Sequence, residues 1–151
     1  MTKYTFIAAD TIAIGDRTLT RVRRTADGKR GGYIESEANL SQTGSCFISE
    51  RSRIYDGARI DEDAQIDGEV YGKARVGGSA TVSGQAFDDA TISGHAQVGG
   101  RVYGSATVQD DARVFGEAFE HATVKDHATV YGRIHGHAVA SGDEVVFGDR
   151  H

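Results

Sequence analysis

The sequence has no proline and no tryptophan, and it contains one cysteine and one methionine in 151 residues. A single thiol, Cys46, cannot form an internal disulfide, so nothing in the chain requires an oxidising compartment. We interpret Cys46 as a small buried thiol rather than as a nucleophile. No long apolar run is present, which argues against a membrane partner. The N-terminal MTKYTFIAAD has no signal-peptide pattern, and we expect a cytoplasmic protein.

Glycine is abundant, with 20 residues. Loop-rich chains of low complexity combine glycine with proline, so glycine without proline predicts glycines at regular positions. The net charge is −5, but residues 1–30 carry +4 and the remainder carries −9. The acidic remainder disfavours non-specific nucleic-acid binding. The basic end could contact an anionic partner, although we favour a role in keeping an N-terminal cap soluble.

A repeat of 16 residues runs from Ile54 to Asp149 in six uninterrupted copies. Each copy divides into six, six and four residues, each part beginning with a β-branched residue or alanine, and alanine lies four residues after the first two of these, except at Glu144 in the last copy. One column is glycine in every copy, at positions 68, 84, 100, 116, 132 and 148. This spacing places two inward side chains on each short strand and three short sides in each copy. We therefore predict a triangular, single-stranded β-helix with 16-residue coils, in which the invariant glycine marks the tightest corner through a positive φ or a close backbone approach.

The repeat resembles the hexapeptide-repeat left-handed β-helix, a fold of many bacterial acyltransferases. The left hand of the coil is implied by this resemblance alone, and the 16-residue coil is shorter than the usual 18-residue coil of that family. The segments Gly31–Glu35, Asn39–Gln42 and Gly44–Ile48 are similar to those of small phage, prophage and bacterial repeat proteins. Those proteins are provisionally labelled acetyltransferase or polymer-forming protein.

The N-terminal segment predicts a β cap over residues 1–37, before a β-helix over residues 38–151. Residues 3–9 and 17–24 have strand patterns, and Ile14-Gly15-Asp16-Arg17 predicts a tight hairpin. Residues 25–32 have the composition of a loop. Such a cap would prevent a further strand from adding to the first coil.

Two aromatic columns are candidates for binding or self-association. The first column contains Tyr55, Tyr71, Phe87, Tyr103 and Phe119, followed by His135, and the second contains Phe115, Tyr131 and Phe147. Aromatic residues on adjacent rungs also stabilise parallel sheets by stacking. Because an apolar strip of this length is unusual on a monomer, we favour self-association over sugar binding.

Histidines form two further columns. His95, Asp111, His127 and Asp143 alternate in one column, which predicts either a metal site or a surface ladder of alternating charge, and we favour the ladder. His121, His127 and His137 are candidate catalytic bases if the resemblance to acyltransferases extends to activity. That activity would need acyl-CoA and a groove between subunits of a trimer; otherwise we expect no cofactor.

Three functions remain open at this level. We favour a non-catalytic structural or binding solenoid, with a phage-associated protein among the options, that forms a homo-oligomer through a lateral face or its C-terminal end, or binds another protein. The alternative is a trimeric acyl-CoA-dependent acyltransferase with a histidine at the interface. An acidic binder of a host factor, or a nucleic-acid mimic, is the weaker third hypothesis.

Overall fold

The computed structural model describes residues 2–151 and shows an all-β chain with one 3-10 helix, Glu37–Asn39. In chain order the strands are β1 (Tyr4–Ile14), β2 (Arg17–Arg24), β3 (Arg30–Ile34), β4 (Phe47–Ile48), β5 (Arg53–Ile54), β6 (Arg59–Ile60), β7 (Gln65–Ile66), β8 (Glu69–Val70), β9 (Arg75–Val76), β10 (Thr81–Val82), β11 (Gln85–Ala86), β12 (Thr91–Ile92), β13 (Gln97–Val98), β14 (Arg101–Val102), β15 (Thr107–Val108), β16 (Arg113–Val114), β17 (Glu117–Ala118), β18 (Thr123–Val124), β19 (Thr129–Val130), β20 (Arg133–Ile134), β21 (Val139–Ala140), β22 (Val145–Val146) and β23 (Asp149–Arg150). Over residues 2–151, no helix is long and apolar enough to cross a membrane.

The short strands stack in register into three parallel sheets, which form the three faces of a solenoid. Face A contains β3, β5, β8, β11, β14, β17, β20 and β23; face B contains β6, β9, β12, β15, β18 and β21; face C contains β4, β7, β10, β13, β16, β19 and β22. Each residue in the regular coils pairs with the residue 16 positions later, as Ala86 does with Val102. This arrangement confirms the predicted β-solenoid with 16-residue coils. The hand of the coil stays a prediction.

The core runs along the axis of the solenoid and consists of the inward columns that the repeat predicts. Ile60, Val76 and Ile92 are buried on face B, and alanines such as Ala90 and Ala106 are buried at the corners. Small side chains at the corners let the chain turn without overfilling the narrow interior. In the last coil Glu144 occupies the alanine position, and its carboxylate accepts a hydrogen bond from Arg150. The contact with Arg150 lowers the pKa of Glu144.

Two kinds of residue make the corners. The backbone has a positive φ at two sites in each regular coil, and these sites carry glycine or an acidic residue, such as Gly72, Asp88 and Gly104. The invariant glycines are required for a different reason, because a Cβ on Gly116 would lie 1.9 Å from the carbonyl oxygen of Gly132. Positive φ was therefore the wrong alternative for this column, and the close backbone approach was the right one.

The N-terminal cap is a hairpin of β1 and β2, which extends face A as antiparallel strands. The register of β1 shifts between Ile7 and Thr11, and Asp10 lies in that irregularity, where Arg21, Arg30 and Tyr33 donate hydrogen bonds to its carboxylate. The bond from Tyr33, followed by that from Arg21, lowers the pKa of Asp10. A bulge of this kind disfavours pairing of the edge with another strand.

The join between the cap and the solenoid differs from the sequence prediction. Residues 30–32 belong to β3 and are not part of a loop, because β3 pairs with β2 on one side and with β5 on the other. Tyr33 pairs with Arg53 and Phe47 with Gln65, so the first coil is longer than 16 residues. The ten-stranded sheet is continuous through the predicted boundary at residue 37.

Candidate functional site

The first aromatic column stacks along the corner between faces A and B, and we call it the AB ladder. Its ring centroids are 4.8–5.2 Å apart from Tyr55 to His151, and adjacent planes between Tyr55 and Phe119 are within 3° of parallel. The rings from Tyr55 to His135 are half-buried, and burial is the main cause that raises the pKa of Tyr55, Tyr71 and Tyr103. Stacking between rungs therefore covers much of the surface of these rings. The column predicted from the sequence ended at His135 and did not include His151, which stacks on it.

The second aromatic column is far more exposed. Phe115, Tyr131 and Phe147 lie on the corner between faces C and A, with 47%, 53% and 75% of their surface exposed, and we call them the CA ridge. Their ring centroids are 5.4 and 5.5 Å apart. Each ring follows the last inward valine of face C, in a corner of two residues such as Phe115 and Gly116, which has no room to fold the ring inward. Tyr131 stacks on Phe115 at one side and on Phe147 at the other, so neither of its ring faces is open to a stacking sugar.

Charged side chains flank the CA ridge on face A. The outward column Arg101, Glu117, Arg133 and Asp149 alternates in sign from rung to rung. Tyr103 donates a hydrogen bond of 3.0 Å to Glu117, and the Arg133 guanidinium lies 5.6 Å from the centre of the Phe119 ring. Both contacts are with rings of the AB ladder, so the ridge itself is an apolar strip beside a face of charged residues, which is the composition of many protein interfaces.

The His–Asp column lies on the corner between faces B and C. Asp111 contacts His95 at 3.5 Å and His127 at 3.6 Å, and His127 contacts Asp143 at 3.8 Å. All four side chains are more than half exposed. Among residues 2–151, no group of three or more His, Cys, Asp or Glu side chains is arranged to hold a metal ion. Each contact in the column joins a histidine to an aspartate on the next rung, which is the geometry of a charge-alternating ladder.

The remaining candidate bases, His121 and His137, stack 4.9 Å apart on the corner between faces A and B. They line an open depression of about 480 Å³ together with Ser105 and Glu120. Glu120 accepts a hydrogen bond from the backbone N–H of Gly136 at 2.7 Å. The structure thus brings His121 and His137 together but leaves His127 at a different corner, so the three candidate bases do not form one site.

Cys46 is fully buried beneath the cap, as the composition predicted. Lys3 donates a hydrogen bond of 2.9 Å to its sulfur, and Tyr4 donates one of 2.6 Å to the carbonyl of Leu40 nearby. Burial raises the pKa of Tyr4. These contacts fasten the cap to the first coil and give Cys46 a packing role.

The chain matches no family model and no curated protein at a significant level. The structure adds one feature that the repeat did not single out, namely the sharp difference in exposure between the two aromatic columns. The sequence carries no direct signal of this difference, because both columns are runs of aromatic residues at the 16-residue period.

Proposed function

We propose that this protein is a non-catalytic structural or binding solenoid that self-associates through its lateral face at the CA ridge. The observation that carries the proposal is the exposure of Phe115, Tyr131 and Phe147, in contrast to the half-buried rings from Tyr55 to His135 in the AB ladder. A contiguous apolar strip with a polar border is costly to leave in water and is typical of an interaction site. The uninterrupted coils from Ile54 to Asp149 also leave no inserted loop to cover a substrate.

The family resemblance supplies the finer version of this proposal. The hexapeptide-like spacing supports a relation to the left-handed β-helix proteins, and the likeness of the first coil to small phage and bacterial repeat proteins supports a phage-associated structural role. Residence in the cytoplasm belongs to the same proposal.

The trimeric acyltransferase remains the alternative because His121 and His137 border an open depression. It requires acyl-CoA binding, which calorimetry measures directly. Saturable binding that His137→Ala abolishes would favour the enzyme over the structural solenoid.

Light scattering coupled to size-exclusion chromatography tests the self-association. We expect an oligomer for the unmodified chain and a monomer when Phe115, Tyr131 and Phe147 are all replaced by serine. Val139→Ser is the matched control, because Val139 is also 47% exposed but lies off the ridge on face B. A monomeric unmodified chain, or equal loss of association in the control, would contradict the proposal.

A further inference from the structure

We infer that the partner on the CA ridge is a second copy of this chain, packed side by side and antiparallel, with the two-fold axis between the rungs of Phe115 and Tyr131. The inference rests on the proposed function, because it identifies the occupant of the proposed interface. It is carried by two columns of side chains that become complementary when one copy is inverted against the other.

The first column is the corner between faces C and A. From the N-terminal side it reads Gly99, Phe115, Tyr131 and Phe147. In the inverted arrangement Phe115 lies opposite the partner's Tyr131, and Phe147 lies opposite the partner's Gly99. Gly99 is exposed and has no side chain, and the Phe115 ring lies 3.2 Å from the position that a Cβ on Gly99 would take. The most exposed ring of each copy, Phe147, therefore faces the position of the other column that carries no ring.

The second column is the charged border on face A. Arg101 lies opposite the partner's Asp149, and Glu117 lies opposite the partner's Arg133, and symmetry repeats both pairs. The Arg101, Arg133 and Asp149 side chains are exposed, and Glu117 and Asp149 would exchange their contacts with Tyr103 and His135 for these pairs. Four contacts between opposite charges thus border the aromatic strip, and none joins like charges. Complementarity of this kind selects orientation more than it adds affinity.

Other pairings of the same ridge fit less well. An antiparallel dimer centred on Tyr131 would place Arg133 against its own symmetry copy and Glu117 against the partner's Asp149. A parallel dimer would place face A against face C, with Glu117 opposite the partner's Arg113 and Arg133 opposite the partner's Thr129. With the two-fold axis between the rungs of Phe115 and Tyr131, every charged residue of the Arg101–Asp149 column lies opposite a residue of the other sign in the partner.

The interface is small. Four rungs at about 4.8 Å each give a contact strip roughly 19 Å long. Contacts of this size lie at the low end of specific interfaces, so we expect a reversible dimer with a dissociation constant in the micromolar range.

Sedimentation equilibrium of the 151-residue chain and two charge-reversal variants tests the arrangement. Arg133→Glu would set the introduced carboxylate of each copy against the partner's Glu117, and we expect the dissociation constant to rise about tenfold. Arg113→Glu is the matched control, since Arg113 flanks the ridge on face C at the neighbouring rung and meets only the partner's Thr129. Circular dichroism melting verifies that each variant is folded. If Arg133→Glu does not fold, Asp149→Lys is used in its place. The introduced lysine would lie opposite the partner's Arg101, and we expect the dissociation constant to rise by about the same factor.

The outcomes separate the inference from the proposed function. Weakening by Arg133→Glu together with an unchanged Arg113→Glu supports the antiparallel dimer. The reverse pattern indicates the parallel dimer, and a trimer mass or a dimer insensitive to both variants indicates another interface. Each of these overturns the inference while self-association stands. A monomer at every concentration overturns both.

Discussion

A methyl group at an invariant corner glycine tests how tightly the coils are stacked. A Cβ on Gly116 would lie 1.9 Å from the Gly132 carbonyl oxygen and 2.5 Å from that of Tyr131. Both contacts are with backbone atoms, so no side-chain rotation can relieve them. Gly116→Ala must therefore push two rungs apart at the corner between faces C and A.

Three hydrogen bonds cross this corner. The N–H groups of Phe115 and Gly116 donate to Val130 at 2.8 and 3.1 Å, and that of Glu117 donates to Gly132 at 2.9 Å. Losing them at about 1 kcal/mol each gives a destabilisation of about 3 kcal/mol. For a chain of this size, that corresponds to a fall in Tm of about 6–12 °C.

The same column contains its own control. A Cβ on Gly148 would meet no atom within 4 Å, and Gly148 does not have a positive φ. Gly148→Ala is expected to leave stability unchanged or to raise it by about 0.4–1 kcal/mol, because alanine restricts the unfolded chain. Thermal melting followed by circular dichroism measures both variants. An equal fall in Tm for the two would refute the argument that the close approach between rungs requires glycine.

Further predictions concern three carboxylates with lowered pKa values, the buried thiol of Cys46 and the phenol of Tyr103. Arg51 and Ser49 donate hydrogen bonds to Asp67 and lower its pKa. The lowered pKa values of Asp10, Asp67 and Glu144 contribute stability above the ordinary carboxyl pKa of about 4. That stability is lost as the pH falls through the pKa values of the folded state. The urea concentration at the unfolding midpoint should therefore decrease when the pH is lowered below about 4, and an unchanged midpoint would contradict these contacts. Cys46 should react with a thiol reagent at the rate of unfolding, and fast stoichiometric labelling of the native chain would contradict its burial. Tyr103 should titrate by phenolate absorbance above the usual tyrosine pKa, and Glu117→Gln should lower its value, whereas no response would exclude the hydrogen bond between them.

The repeat made most of the fold predictable because the same interior positions recur in each coil. Inward columns such as Ile60 and Ala90 must be apolar and small enough for a narrow interior, and that requirement is visible as strict periodicity. The periodicity does not reach the first coil, where the step from Tyr33 to Arg53 is longer. There the strand β3 is set by pairing with both the cap and the solenoid, so its glycines were misread as a loop.

The candidate site was less predictable than the fold. The sequence places Phe87 and Phe115 in columns, but it does not say how much of each ring the neighbouring corner covers. That depends on corner length, since the two-residue corner between faces C and A leaves Phe115 exposed and the four-residue corner between faces A and B half-buries Phe87. The two positive-φ sites in each coil were also missed, although the Asp88 and Gly104 column showed alternation of acidic residues with glycine.

Small-angle X-ray scattering of the unmodified chain tests the lateral association most directly, because it reports mass and shape together. Two solenoids packed antiparallel over their four C-terminal rungs should give the mass of a dimer, a cross-section that is wider over the overlap, and a maximum dimension about one and a half times that of one copy. Scattering that shows a monomer at every concentration, or a dimer about twice as long with an unchanged cross-section, would contradict association through the CA ridge.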